Sequence, residues 1–248
     1  MRFNETDPAL HSPHDVRICH PRRMTGRDAR RLRTIARRLE RAYGRAPAPR
    51  HLPPIDELIL TVLSQNTSDT NRDRAYADLR GAYPTWRAVA DATSRGIARA
   101  IRRGGLGVTK APRIRAALRS LRERGVDLDH PRALGDMEDD ELWDLLTSLK
   151  GVGPKTAACV LLFSLDRPFF PVDTHVHRVA TRLGLVSPRA TAVAAQAALQ
   201  EEVPPDLVYE LHMGLIRHGR AVCVARRPLC SECVLADLCP RVGVTSSR

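Results

Sequence analysis

The chain has 248 residues, enough for one large domain or two small ones with a real hydrophobic core. Its apolar stretches are far shorter than the ~20 residues that span a bilayer, and no secretory signal is visible, so we expect a cytoplasmic protein. The net charge of +12 favours a polyanionic partner such as nucleic acid, because neutralising phosphates releases counterions. A protein that is merely rich in arginine is the alternative.

Residues 1–22 mix histidine, proline and arginine without periodicity and are predicted to form a basic N-terminal arm. A helical pattern runs from Thr25 to Tyr43, and the prolines that follow indicate a domain boundary near residue 47. No alternating β-branched run is present, so the predicted fold class is all-α. The further predicted helices are Ile55–Leu63, Thr70–Ala82, Thr85–Ala90, Ser94–Ile101, Pro112–Arg124, Asp139–Leu149, Pro154–Leu165, Asp173–Leu183, Thr191–Glu201 and Asp206–Val222.

A glycine-rich segment, Leu-Lys-Gly-Val-Gly-Pro-Lys-Thr-Ala at residues 149–157, joins two of these helices. Gly151 and Gly153 permit a tight turn and a close approach to a ligand. Pro154 suits the start of the second helix, where a missing N–H is tolerated. Free amides at that helix N-terminus would bind a phosphate oxygen. A plain helix–turn–helix corner is the alternative, but the basic charge of the chain favours phosphate.

Arginine is the default cation of this chain. Of its 40 lysine and arginine residues, only Lys110, Lys150 and Lys155 are lysines. Arginine keeps its proton at neutral pH, whereas a lysine can become a neutral amine nucleophile. Each lysine is therefore a candidate for chemistry.

Four of the six cysteines fall between residues 223 and 239. In a cytoplasmic protein such clustering favours a metal or cluster site over disulfides. Four soft thiolates suit either a [4Fe–4S] cluster or a structural zinc ion, and their spacing does not decide between the two. Of the remaining two, Cys159 is expected in the core and Cys19 lies in the arm. The candidate ligands are Cys223, Cys230, Cys233 and Cys239.

The hairpin, with Val-Asp-Thr-His-Val placed so that Asp173 follows Lys155 by eighteen residues, resembles the helix-hairpin-helix DNA glycosylases of endonuclease III type. The cysteine run and the segment from His212 to Cys223 resemble the iron–sulfur domain of that family, which favours a [4Fe–4S] cluster over zinc. The resemblance covers about residues 25–240. It implies two helical lobes flanking a DNA-binding cleft. A six-helix bundle with the hairpin would occupy residues 47–166, and an iron–sulfur domain residues 23–46 plus 167–248.

The resemblance implies that Lys155 is the catalytic nucleophile and Asp173 its catalytic partner. A neutral amine would attack C1′, displace the base and form a Schiff base, and β-elimination would then cut the strand. The free amine requires a lysine pKa well below the usual ~10.4, and we expect the helix N-terminus and partial burial to lower it. A phosphate contact for Lys155 and a helix N-cap for Asp173 are the structural alternatives.

The same resemblance implies further DNA contacts. A loop at residues 104–111 corresponds to the wedge that fills the gap left by a flipped nucleotide, and the segment at residues 63–69 to the plug. An ordinary helix connection, a turn and a solvated arginine pair are the alternatives. The predicted contacts are Gly151, Val152, Gly153 and Thr156 in the hairpin, Leu106 in the wedge, Asn66 in the plug, and Arg226 and Arg227 beside the cysteines.

The resemblance implies a base-excision-repair glycosylase that removes oxidised pyrimidines and cleaves abasic DNA. By the same resemblance it would act as a monomer on damaged double-stranded DNA, and we expect a cytoplasmic, DNA-associated location. A monofunctional adenine or mismatch glycosylase is one alternative, although those relatives lack a lysine at the position of Lys155. A non-enzymatic iron–sulfur DNA-binding protein is another, and it would make the Lys155–Asp173 spacing accidental.

Overall fold

The computed structural model describes residues 26–248, so the predicted basic arm and Cys19 lie outside the described residues. All regular structure in the described part is helical, which confirms the all-α prediction. None of its helices has the length and apolar character required to cross a membrane. The α-helices are α1 (Gly26–Tyr43), α2 (Pro54–Ser64), α3 (Asp69–Ala82), α4 (Trp86–Asp91), α5 (Ser94–Ala100), α6 (Gly107–Glu123), α7 (Asp139–Ser148), α8 (Pro154–Leu165), α9 (Thr174–Arg182), α10 (Ala192–Glu202) and α11 (Val208–Ala221).

Side-chain caps and prolines set many of the helix starts. Each capping side chain accepts a hydrogen bond from the backbone N–H three residues later, one of the donors that a helix start leaves unpaired. The helices α2 and α8 instead begin with a proline, which needs no such acceptor. The capping residues are Ser68, Thr85, Thr93, Asp173 and Thr191.

Helices α2 to α8 surround a first hydrophobic cluster, in which α2 packs along α8. Leu58 and Val62 of α2 and Leu161 of α8 are fully or almost fully buried there. The family resemblance implied six helices in this region; the structure has seven, of which α4 and α5 are six and seven residues long. The proposed domain boundaries themselves stay a prediction.

A second hydrophobic cluster brings α1 together with the chain after residue 169. Helix α11 packs against both α1 and α9, and Leu39, Phe170 and Leu215 are fully or almost fully buried in this cluster. Helix α8 contributes Leu161 to the first cluster and Leu162 to the second. The start of α8, where Lys155 lies, is therefore part of the helix that the two clusters share.

Helix α6 begins earlier than the sequence suggested. Its predicted start was Pro112, but the helix begins at Gly107 and Pro112 lies inside it. Leu106 adopts the left-handed conformation, with φ 52°, and its carbonyl accepts the amide of Lys110 at 2.9 Å. A proline in the sixth position removes one backbone hydrogen bond, which the packing of the following turns offsets.

Candidate active site and iron–sulfur centre

The hairpin between α7 and α8 exposes two glycines and buries their neighbours. Gly151 has φ +86° and is exposed, as is Gly153, around which a Cβ would meet no atom within 4 Å. Within residues 26–248, the amides of these glycines have no hydrogen-bond acceptor. Val152 is 6% exposed and Thr156 5%, and the Thr156 amide donates to the Gly153 carbonyl at 2.9 Å. The hairpin tip therefore exposes mainly backbone to solvent, whereas the side chains of Val152 and Thr156 are buried beneath it.

Lys155 lies in the first turn of α8 and is only partly accessible to solvent. Burial acts to lower the pKa of its ammonium, but Cys159, Asp173 and Glu57 outweigh that effect and raise the pKa above the usual value for lysine. The expectation of a lowered pKa is therefore wrong for the free protein. Sequence reasoning took burial and the helix N-terminus into account, but it did not identify Cys159 and Glu57 as neighbours of Lys155.

Asp173 is the N-cap of α9, since its Oδ1 accepts the backbone N–H of Val176 at 2.7 Å. This geometry confirms the helix-cap interpretation, and it leaves Oδ2 of the carboxylate available to interact with another group. The carboxylate also interacts electrostatically with Lys155 and with the buried His212. No ion pair within 4 Å joins Lys155 to Asp173 in the described part of the chain. The catalytic role of Asp173 stays a prediction.

His212 of α11 lies behind this pair and is 1% exposed. Its Nδ1 is 2.9 Å from the carbonyl oxygen of Pro171, and the rings of Phe163 and Phe170 lie 5.6 and 6.0 Å away. Burial lowers the pKa of His212 to about 4, so the imidazole is neutral at pH 7 and its Nδ1–H donates to the carbonyl. Sequence reasoning noted His212 only as part of a family pattern.

Lys110 has an environment quite different from that of Lys155. Its side chain is 1% exposed, and its Nζ donates to the carbonyl oxygens of Leu63 at 2.7 Å and Gly104 at 2.8 Å. Burial lowers the pKa of this ammonium. Leu63 belongs to the end of α2 and Gly104 to the turn before α6. The two hydrogen bonds of Lys110 therefore link the predicted plug segment to the predicted wedge segment.

Both of these segments carry exposed residues in strained conformations. Asn66 and Leu106 each have φ 52°, a left-handed conformation that is uncommon for residues other than glycine. Leu106 is 54% exposed, and Val108, which sequence reasoning passed over, is 85% exposed. Exposed apolar side chains on a tightly held turn are suited to insertion between bases. Their contact with DNA stays a prediction.

The four clustered cysteines line one cavity, together with His218 and Arg182. Among the described residues, no three His, Cys, Asp or Glu side chains converge as they would around a single ion. Four thiolates around one cavity are a donor set that suits an iron–sulfur cluster. N–H donors face two of the sulfurs, as suits negatively charged thiolates: Arg182 lies 3.3 Å from the Sγ of Cys223, and the amide of Leu235 lies 3.4 Å from that of Cys233.

Arginines of α9 hold the backbone that leads into the cysteine cavity. Arg178 Nε donates to the Cys223 carbonyl at 2.9 Å, and Arg182 donates to the carbonyls of Val224 and Ala225 at 2.7 and 2.9 Å. The next two residues, Arg226 and Arg227, are exposed, and Arg227 has φ 49°. The segment that bears this arginine pair is therefore fixed to α9 while the two guanidinium groups reach solvent.

Comparison with known proteins agrees with this geometry. The HhH-GPD superfamily of base excision DNA repair proteins matches residues 59–205, and the iron–sulfur binding domain of endonuclease III matches residues 223–239. A putative DNA glycosylase of Arabidopsis thaliana is 38% identical over 194 residues, which cover 77% of this chain but only 62% of the plant protein. Endonuclease III of Thermotoga maritima is 37% identical over 186 residues, 75% of this chain and 82% of that protein.

A solved structure of a trapped covalent intermediate between endonuclease III and DNA superimposes with a TM-score of 0.73. Its sequence identity is 27%, and the match covers 86% of this chain and 96% of that one. The match to the iron–sulfur domain coincides with the four cysteines around the cavity, which identifies their cofactor as a [4Fe–4S] cluster. By family profile, sequence identity and structure, the chain belongs to the endonuclease III family of the HhH-GPD superfamily of base excision DNA repair proteins.

Proposed function

We propose that this protein removes damaged bases, oxidised pyrimidines foremost, from double-stranded DNA through a Schiff base on Lys155. Family membership makes it a base-excision-repair glycosylase that also cleaves abasic DNA. The observation that carries the residue assignment is the position of Lys155. It lies in the first turn of α8, beyond the exposed hairpin glycines and in electrostatic contact with Asp173.

The proposed chemistry uses two side chains in sequence. The Lys155 amine attacks C1′ of the damaged nucleotide, and the base leaves with the electrons of the glycosidic bond. Asp173 stabilises the positive charge that develops on the sugar. The resulting iminium acidifies the C2′ proton, whose removal expels the 3′ phosphate by β-elimination. Throughout these steps α8 and the α9 cap hold the two groups on packed helices.

The rest of the site is proposed to hold and open the duplex. Free amides of Gly151 and Gly153 suit a phosphate oxygen, and Leu106 and Asn66 stand on tight turns that can enter the gap left by a flipped nucleotide. Arg226 and Arg227 suit the phosphate backbone. When bound, the [4Fe–4S] cluster supplies four iron–thiolate bonds, which keep this arginine segment in place.

Two alternatives receive less support. A monofunctional glycosylase does not need a lysine at the start of α8, and a non-enzymatic DNA-binding protein does not need one coupled to Asp173 and to the buried Glu57. We further propose that the protein acts as a monomer. Light scattering of the protein with and without DNA tests this last point, and a stable dimer in both states contradicts it.

The experiment incubates wild type and Lys155→Ala with duplexes that carry thymine glycol, an abasic site or no lesion, with borohydride present. We expect wild type to release the damaged base, cleave both lesion strands and form a covalent adduct. Lys155→Ala should bind abasic DNA yet form no adduct. An adduct from Lys155→Ala at the wild-type level contradicts the residue assignment. A wild type that cleaves only the abasic duplex contradicts the pyrimidine substrate.

A further inference from the structure

A buried carboxyl group lies on α2, one helix away from Lys155. Glu57 is 8% exposed, and it belongs to the helix that packs along α8. Its Oε1 accepts a hydrogen bond from Thr61 Oγ1 at 2.9 Å. A buried carboxylate is costly unless it is paired, and no ion pair within 4 Å reaches Glu57 from the described residues. The fold therefore keeps an acidic group in an unfavourable place beside its nucleophile.

Charged and titratable groups face Glu57 from the elements around it. They are Lys155 and Cys159 of α8, Arg72 and Tyr76 of α3, and Arg50 from the segment before α2. Burial raises the pKa of Glu57 to about 7, against the opposing effects of the Thr61 hydrogen bond and of the cations. Near neutral pH this carboxyl group is therefore able both to accept a proton and to release one.

Lys155 must lose a proton before it can act as a nucleophile. Its ammonium has no lone pair, and its neighbours raise its pKa above the usual lysine value. Attack on C1′ therefore needs an acceptor for one proton. Each carboxyl accepts one hydrogen bond among the described residues, Asp173 from the Val176 amide and Glu57 from Thr61 Oγ1. Asp173 is partly exposed to solvent, whereas Glu57 is buried against the helix that bears Lys155.

We propose that Glu57 accepts the proton that Lys155 must lose before it attacks the sugar, an inference that rests on the proposed function. In this step an N–H bond of the ammonium breaks and an O–H bond forms on the Glu57 carboxylate, either directly or through one water molecule. The electron pair stays on Nζ for the attack on C1′. A charged pair becomes a neutral pair, and no other reactant is consumed.

DNA binding provides the driving force for this transfer. A nucleotide bound at the start of α8 excludes water from both groups, and loss of water raises the pKa of a carboxyl and lowers that of an ammonium. Both changes move the proton from Lys155 to Glu57. The free protein thus stores Lys155 as an ammonium, and the amine forms when the substrate arrives.

The test measures single-turnover adduct formation on abasic DNA with borohydride, from about pH 5.5 to about pH 9.5. The wild-type rate should rise with pH and level off above the pKa of Glu57, which is about 7 in the free protein and higher in the DNA complex. Glu57→Gln keeps the size and the Thr61 contact but accepts no proton. Its rate at pH 7 should fall roughly 10²-fold and should keep rising about tenfold per pH unit. Glu123→Gln, an exposed change at the end of α6, is the matched control and should follow wild type.

A second variant protects the test against a folding defect in the first. Thr61→Val removes the hydrogen bond that lowers the Glu57 pKa, so the point at which the rate levels off should move to higher pH. A Glu57→Gln variant with the wild-type rate and profile overturns the proposal, as does a Thr61→Val profile that does not move. Failure of the proposed function is distinguishable, because in that case Lys155→Ala also forms the adduct.

Discussion

Two turns in this protein share a sequence pattern and differ in what they do. Residues 104–110 and 150–155 both place glycines before a helix start and a lysine in the first turns of the helix. The ammonium group of Lys110 donates hydrogen bonds to the carbonyl oxygens of Leu63 and Gly104. The ammonium group of Lys155 interacts electrostatically with Cys159, Asp173 and Glu57. Carbonyl groups accept hydrogen bonds from an ammonium but take no proton from it. Of Lys110 and Lys155, only Lys155 therefore has neighbours that can exchange a proton with it.

The largest expected effect separates charge from nucleophilicity at the second turn. Lys155→Arg keeps a cation at the start of α8 but provides no neutral amine. We expect adduct formation and strand cleavage on abasic DNA to fall by roughly 10³-fold or more, because the covalent route is lost. Affinity for a non-cleavable abasic analogue should stay within about threefold of wild type. Retention of cleavage by Lys155→Arg would show that the cation, not the amine, is what matters there.

Substitution of the lysine in the first turn should change the stability of the fold, whereas substitution in the second turn changes catalysis. Lys110→Met leaves two buried carbonyl oxygens without their charged donor, which should lower the free energy of unfolding by roughly 3–5 kcal/mol. Lys155→Met removes a charge that has no close ion pair and should cost less than about 1 kcal/mol. Urea denaturation of the two variants measures the difference. Equal losses would mean that the two lysines are not divided between structure and chemistry.

Glu57 gives the second turn a pH dependence between acidic and neutral pH. Its pKa is 4.5 when unfolded and about 7 when folded, so the folded protein binds an extra proton between these values. Wild type should therefore lose up to about 3 kcal/mol of stability as the pH rises through this window. We expect Glu57→Gln to lack that loss, so its stability relative to wild type should rise by about 3 kcal/mol. Parallel pH–stability curves of the two proteins contradict the assignment.

The smallest expected effect concerns what the first turn presents to DNA. Leu106→Ala removes an exposed side chain from a turn that Lys110 keeps in place, so the fold should be unaffected. Affinity for abasic DNA should fall about tenfold, which is about 1.4 kcal/mol. Val193→Ala, an exposed apolar change on α10, is the matched control and should leave affinity unchanged. Equal affinities for both variants would remove Leu106 from the DNA interface.

The sequence predicted the helices and the family well, because periodicity, caps and the hairpin motif are local signals. The early start of α6 was missed because a proline usually marks a helix start, whereas here Leu106 starts the helix in a left-handed conformation. The environments of Lys155 and Lys110 depend in part on residues far along the chain: Glu57 for Lys155, and Leu63, 47 positions away, for Lys110. Glu57 was missed for the same reason, since it becomes a neighbour of Lys155 only when α2 packs along α8.

The central claim is that one lysine performs the chemistry while another holds the structure, and it can be tested on the wild-type protein. After borohydride reduction with an abasic duplex, the adduct is digested and the peptide that carries the sugar remnant is sequenced by mass spectrometry. With only Lys110, Lys150 and Lys155 in the chain, the candidate sites are few. We expect the remnant on Lys155 alone. A remnant on Lys110, or shared among the lysines, would contradict the account.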